Sequence, residues 1–207
     1  MKRILALLLI LLTALAFTAC GNNDDTREYL EILQSGTYRL EGNGVYEAQH
    51  LMILMYVDDG NIVASFRNDN DTPKAGAYQN GTYYLFDETT LLRAEVPEDY
   101  FNPNVFLPLI QYDFSTAEYQ KSGKQELTGT LLRYDRYSIE TVDGEKTTME
   151  LYVDEGGNLY GIAFPDESIA ITVADLNPEL SEIEYTTLPD DVYIDTDARQ
   201  IEVLLGV

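Results

Sequence analysis

The feature that most restricts the fold is a recurring unit: alternating apolar and polar residues, rich in Tyr, Val, Ile and Thr, closed by a turn that favours positive φ. Residues 51–57 are a continuous apolar run ending in Asp58-Asp59-Gly60-Asn61, and residues 62–66 follow as a second apolar segment. This predicts a hairpin whose first strand is covered on both faces. Tyr78-Gln79-Asn80-Gly81-Thr82-Tyr83 predicts another, because Asn-Gly supplies the two positive-φ positions of a type I′ turn. Tyr38 and Leu40 alternate with Arg39 and Glu41 ahead of Gly42-Asn43-Gly44, where the strand is expected to stop; Leu92, Ala94 and Val96 alternate with Arg93 and Glu95. Further strands are read over 127–134, 137–142, 149–153, 159–164 and 169–173. So many short strands between turns predict a mainly β (α+β) chain with an antiparallel sheet.

Other segments depart from this rhythm. Asp25 and Glu28 have capping spacing, Tyr29, Ile32 and Leu33 share a helical face, and Gly36 stands where a helix would end, which predicts a short amphipathic helix over 26–35. Residues 97–125 contain Pro97, Pro103 and Pro108 with the aromatics Tyr100, Phe101, Phe106, Tyr112 and Phe114. Prolines exclude a central strand, so this stretch is expected as a lid, a plug or short helices on the sheet. Residues 175–191 read as loop. Over 192–205 two patterns compete: Ile201, Val203 and Leu205 suit a strand, whereas Ile201, Leu204 and Leu205 suit a helix. An internal echo links Leu54-Met55-Tyr56-Val57-Asp58-Asp59-Gly60-Asn61 with Glu150-Leu151-Tyr152-Val153-Asp154-Glu155-Gly156-Gly157-Asn158. It is either a shared hairpin type or a sign of two similar halves of one curved sheet.

The first residues set the compartment. Lys2 and Arg3 precede a near-continuous apolar run over 4–17, and Phe17-Thr18-Ala19-Cys20 closes it. This ending resembles the bacterial lipoprotein signal, or lipobox, whose cysteine thiol receives a diacylglyceryl group and becomes the first residue after cleavage. The resemblance covers residues 1–21, with Phe17 standing where leucine is more usual. It implies a signal peptide over 1–19, a lipidated Cys20 and tether over 20–25, and a single β-rich extracytoplasmic domain over 26–207. An uncleaved anchor and plain secretion are the alternatives; the apolar run is shorter than the ~20 residues that cross a bilayer. Two acyl chains hold a protein at a membrane durably where one does not.

Removing residues 1–19 leaves 188 residues with 11 basic and 36 acidic side chains, a formal charge of −25. Nucleic acid is excluded as a partner, since binding it requires Lys and Arg against phosphate. Anionic lipid surfaces repel the same charge, leaving membrane attachment to Cys20. With that cysteine acylated no disulfide can form, and the fold must stand on packing.

Catalytic constellations are sparse. His50 is the single histidine and has no partner ligand at a recognised spacing, so it is read as a structural or surface residue. Asp69-Asn70-Asp71 and Asp195-Thr196-Asp197 open like a calcium loop and lack its glycine and distant glutamate. No cofactor, metal site or catalytic residue is expected. The sixteen tyrosines suit either half-exposed strands or a ligand groove.

As a whole the pattern is similar to the lipoprotein-carrier superfamily, which includes the periplasmic Lol-type carrier and the LppX-like lipoproteins of mycobacteria. Residues 76–86 and 149–164 look most alike, and the likeness spans most of 26–174. It implies a curved sheet or half-open barrel whose concave apolar face, plugged by helices, holds acyl chains. A membrane-tethered, non-enzymatic lipoprotein for an apolar or amphiphilic ligand follows as the leading expectation, with Tyr100, Phe101, Phe106, Tyr112 and Phe114 as the candidate plug. The alternatives are a protein- or glycan-interaction module without a ligand cavity and, third, an acid-dependent glycosidase.

Overall fold

A computed structural model describes residues 24–46, 49–68, 74–86, 91–96, 111–127, 130–180 and 189–205. Helix α1 (Asp24–Gln34) leads into strand β1 (Thr37–Tyr46), followed by β2 (Gln49–Asp58), β3 (Asn61–Asn68), β4 (Lys74–Gln79), β5 (Thr82–Phe86) and β6 (Leu91–Glu95). The second run is β7 (Tyr112–Leu127), β8 (Thr130–Thr141), β9 (Lys146–Val153), β10 (Leu159–Phe164) and β11 (Ile169–Asn177), then the short β12 (Ile194–Asp195) and helix α2 (Ala198–Leu205). The strands form one open, curved, twelve-stranded sheet in the order β12-β6-β5-β4-β3-β2-β1-β11-β10-β9-β8-β7. Two meanders are thus joined along the seam of β1 against β11. This is the mainly β architecture that the alternation predicts, with a short helix at each end of the described chain.

Register explains why one face is apolar. Leu40, Met55, Ala64, Gly76, Leu85 and Leu92 are successive cross-strand partners from β1 to β6, and Ile171, Ile162 and Leu151 continue the pattern from β11 to β9. All are buried, because period-2 alternation sends every second side chain to the same side. Leu30 and Leu33 of α1 and Ile201 of α2 join that cluster. The predicted Tyr29 and Ile32 flank it, partly buried.

Several local expectations are corrected. Gly42-Asn43-Gly44 does not end β1, which continues to Tyr46; the bulge opposite Glu41 and Gly42 is in β11, at Ala174. A Cβ on Gly42 would lie 2.5 Å from the Thr172 carbonyl oxygen, so this glycine permits close approach of β11. Strand β2 is not covered on both faces throughout: Tyr56 is buried opposite the core, but Met52 is 61% exposed. Residues 112–125 are not irregular, since β7 takes them into the sheet, and β11 reaches Asn177 where a loop is expected from 175. Helix α1 starts at Asp24, with Asp25 in an ion pair with Arg133.

The two echoed turns differ. Asp59 and Gly60 have φ of 46° and 82° in a two-residue hairpin, whereas the Asp154 turn is one residue longer and closes with Gly157 at 85°. Asn80-Gly81 is the predicted type I′ turn, at 50° and 81°. The ambiguous C-terminal segment is mostly helix. Asp197 Oδ1 accepts from the Gln200 backbone N–H at 2.9 Å, a cap at the third helical position, and Asp195 pairs with Arg93. The Asp195-Thr196-Asp197 motif is therefore helix-cap and edge-strand chemistry. Asp69, Asn70 and Asp71 lie outside the described residues.

Candidate functional site

The site is a cleft on the helix-bearing face, built where α1 ends. Gly36, at φ +69°, reverses the chain from α1 into β1. Leu33 from α1, Tyr38 from β1, Val57 from β2 and Ile62 from β3 supply one wall; Tyr112 and Phe114 from β7 supply the other. The polar lining includes Gln34, Asp113, Ser115, Glu140 and Thr141, and the cleft volume is about 620 Å³. That volume lies within the ~300–1,000 Å³ of small-molecule sites.

The cleft is itself evidence of curvature. In sheet order β3 and β7 are seven strand spacings apart, which would separate them by roughly 33 Å in a flat sheet. Their side chains nevertheless line one cleft, so the sheet curls until its two runs face each other across the end of α1.

Two devices hold β7 in this position. Three extra residues enter β7 between Asp113 and Glu118, and a further one between Tyr119 and Lys121, relative to β8. Bulges of this kind bend a strand and raise its twist. The larger bulge is internally bonded: Asp113 Oδ1 accepts from Ser115 N at 3.0 Å and Ser115 Oγ at 2.6 Å, while Thr116 Oγ1 donates to the Asp113 carbonyl and accepts from Glu140 N. The second device is aromatic. Tyr112 stacks on Phe164 with ring centroids 3.7 Å apart and planes within 7°, and its hydroxyl donates to Glu167 Oε2 at 2.5 Å. Gln34 Nε2 then ties α1 to the Phe114 carbonyl at 3.1 Å.

The other end of α1 is secured by a buried polar network. Thr26 Oγ1 donates to Asp135 Oδ2 at 2.7 Å and shares a 2.7 Å hydrogen bond with the Tyr137 hydroxyl; Ser122 donates to the other Asp135 oxygen. Thr26, Asp135 and Tyr137 are almost fully buried. Tyr29 donates to the Gly157 carbonyl at 3.1 Å. Burial pushes the Tyr137 hydroxyl above its ordinary range, and it raises Tyr38 in the cleft wall similarly.

Of the residues singled out from sequence, the structure brings Tyr112 and Phe114 into the cleft, as strand residues in its wall. Cys20, Tyr100, Phe101 and Phe106 lie outside the described residues. Sequence reasoning missed Leu33, Tyr38, Val57 and Ile62 as a group, although each is apolar on a predicted face, because grouping them requires strand register. Asp113 gives a local signal, Asp-x-Ser, that suits a side-chain-bonded turn. Among the described residues no cluster of three or more His, Cys, Asp or Glu side chains is placed to hold a metal.

Fold and cleft together define a class by architecture: an open, strongly curved, almost wholly antiparallel sheet with an apolar cleft between its two meanders at the end of a helix. No protein-family model matches the chain, and no curated protein matches it. Among solved structures it is similar to LprF from Mycobacterium bovis, at 13% identity and a TM-score of 0.44 over 75% of this chain and 95% of that chain. It is also similar to the lipoprotein LppX from Mycobacterium tuberculosis, at 9% identity and a TM-score of 0.44 over 76% and 96% of the two chains. A conserved protein from Thermus thermophilus gives 12% identity and a TM-score of 0.45 over 83% and 99%. At such identities the likeness is one of fold, and the cleft residues are this chain's own.

Proposed function

We propose that this chain is a non-enzymatic extracytoplasmic lipoprotein, held at a membrane through a diacylglyceryl group on Cys20, that receives an apolar or amphiphilic ligand in the cleft beside α1. The observation that carries the reading is a cleft of about 620 Å³ with Leu33, Tyr38, Val57, Ile62, Tyr112 and Phe114 in its walls. A sheet that only needed to cover its core could close over this space. Instead, the bonded bulge in β7 and the Tyr112–Phe164 stack fix the β7 wall in place with the cleft beside it open. The membrane assignment is supported by the residues 1–21 signal, and no helix among the described residues is long and apolar enough to cross a bilayer.

Native mass spectrometry of residues 22–207, prepared without detergent, tests the cleft. A lipid-sized mass released on denaturation, and reduced in Val57→Phe, in which the larger side chain narrows the cleft, is the expected result. A clean apo mass that stays unchanged after incubation with the host's lipid extract would overturn the cleft reading and favour the protein- or glycan-interaction module. Labelled palmitate fed to cells tests the anchor: label should enter the wild-type chain and not Cys20→Ser, with the variant lost from the membrane fraction.

A further inference from the structure

One buried side chain in the cleft wall carries a polar atom that the fold leaves unused. Tyr38, Val57 and Ile62 are successive cross-strand partners on β1, β2 and β3, so their side chains share one face of the sheet, and all three line the cleft. Tyr38 is 3% exposed and belongs to the core cluster. Other buried phenols are tied to the protein: Tyr112 donates to Glu167, Tyr137 bonds with Thr26, and Tyr152 donates to Gln125. Among the described residues the Tyr38 hydroxyl has no hydrogen-bond partner. The described polar side-chain atoms that are both sealed and unpartnered are Arg39 Nε and Thr147 Oγ1. The Tyr38 oxygen is not one of them, so it keeps an opening, and the open space beside Tyr38 is the cleft. A buried hydroxyl without a partner is unfavourable, and a phenylalanine ring would fill the same core volume without it.

We propose that Tyr38 reads the polar end of the ligand, donating its hydroxyl to an uncharged carbonyl oxygen of an amphiphile whose alkyl body lies along Val57, Ile62 and Phe114. This rests on the cleft being a ligand site, as proposed above. Burial raises the phenol above its ordinary range, so at neutral pH it keeps its proton and donates. An ester or ketone carbonyl accepts that bond without bringing charge against an apolar wall. A carboxylate would have to shed its water beside a lining with no Lys, Arg or His among its described residues, and one neutral donor does not offset that cost.

The test uses the full chain in lipid nanodiscs, with empty nanodiscs as the reference for partitioning. Three probes of matched chain length are titrated: methyl laurate, chlorododecane and ionised laurate. Methyl laurate should bind about three- to tenfold more tightly than chlorododecane, the worth of one neutral hydrogen bond, and more tightly than laurate. In Tyr38→Phe that ester preference should fall to about twofold or less while chlorododecane binding stays unchanged. Infrared spectra of the ester with an isotope-labelled carbonyl give a readout that packing alone would not move: after subtraction of empty nanodiscs, the bound carbonyl should absorb at lower frequency in the wild type than in the variant. The urea midpoint of Tyr38→Phe should not fall, because the hydroxyl holds no part of the fold. An ester preference that survives in Tyr38→Phe, a carbonyl band that does not move, laurate binding more tightly than its methyl ester, or a lowered midpoint would each overturn the Tyr38 assignment and leave the cleft reading standing. Failure of every probe to bind above the empty-nanodisc reference would instead overturn the cleft reading itself.

Discussion

Thr26 shows how much one small polar residue decides here. Its hydroxyl is buried among Asp135 and Tyr137 and has no exposed surface, so it orients a buried carboxylate and a phenol while fixing the first turn of α1. In Thr26→Val the shape is kept and one donor to a charged acceptor is lost, a cost of about 1.5–3 kcal/mol read as a lower urea midpoint with an unchanged slope. The buried phenols add a pH dependence. Desolvation raises Tyr38, Tyr137 and Tyr152 above the ordinary value near 10, and for Tyr152 a hydrogen bond with Glu150 adds to it. The unfolded chain releases these protons earlier than the folded one, so the folded state holds more protons above about pH 10 and stability falls as pH rises there. Denaturation midpoints compared at about pH 9 and about pH 11 should drop at the higher value, with late phenolate absorbance from the folded protein.

Elements were unequally legible. Hairpins were readable because their turns are local: Asn80-Gly81 needs no information beyond its own φ preferences, and Gly81→Ala at φ +81° should cost about 1 kcal/mol in thermal or urea unfolding. Gly42 illustrates the opposite case. Beside Asn43 and Gly44 it looks like a turn, yet its role is set by Thr172 on a strand more than a hundred residues away. Gly42→Ala brings a Cβ to 2.5 Å from that backbone oxygen and 3.2 Å from Ile171 Cγ2, which neither strand can yield without shifting the seam. An expected loss of about 1–3 kcal/mol is checked by urea denaturation. Strand β7 escaped sequence reading for a related reason: its start follows a proline-bearing stretch, and its extra residues are bonded through Asp113, Ser115 and Thr116 in a pattern that has no period.

At the scale of the molecule, the mainly β class, the N-terminal helix, the two positive-φ hairpins and the acidic net charge were all determined by the sequence alone. Each rests on local periodicity, turn chemistry or net charge, which do not depend on what packs where. The aromatic character of Tyr112 and Phe114 was visible too, and so was their separation from the preceding strands. What only the tertiary structure decided is that two meanders join through β1 and β11, and that curvature carries β7 across to β3. That arrangement places Leu33, Tyr38, Val57, Ile62, Tyr112 and Phe114 around one cleft. The physical reason is that alternation assigns each residue a face but no neighbour: register, bulges and the bending of a long sheet come from contacts between residues distant in the chain, so the cleft exists in the pairing and nowhere in a single segment.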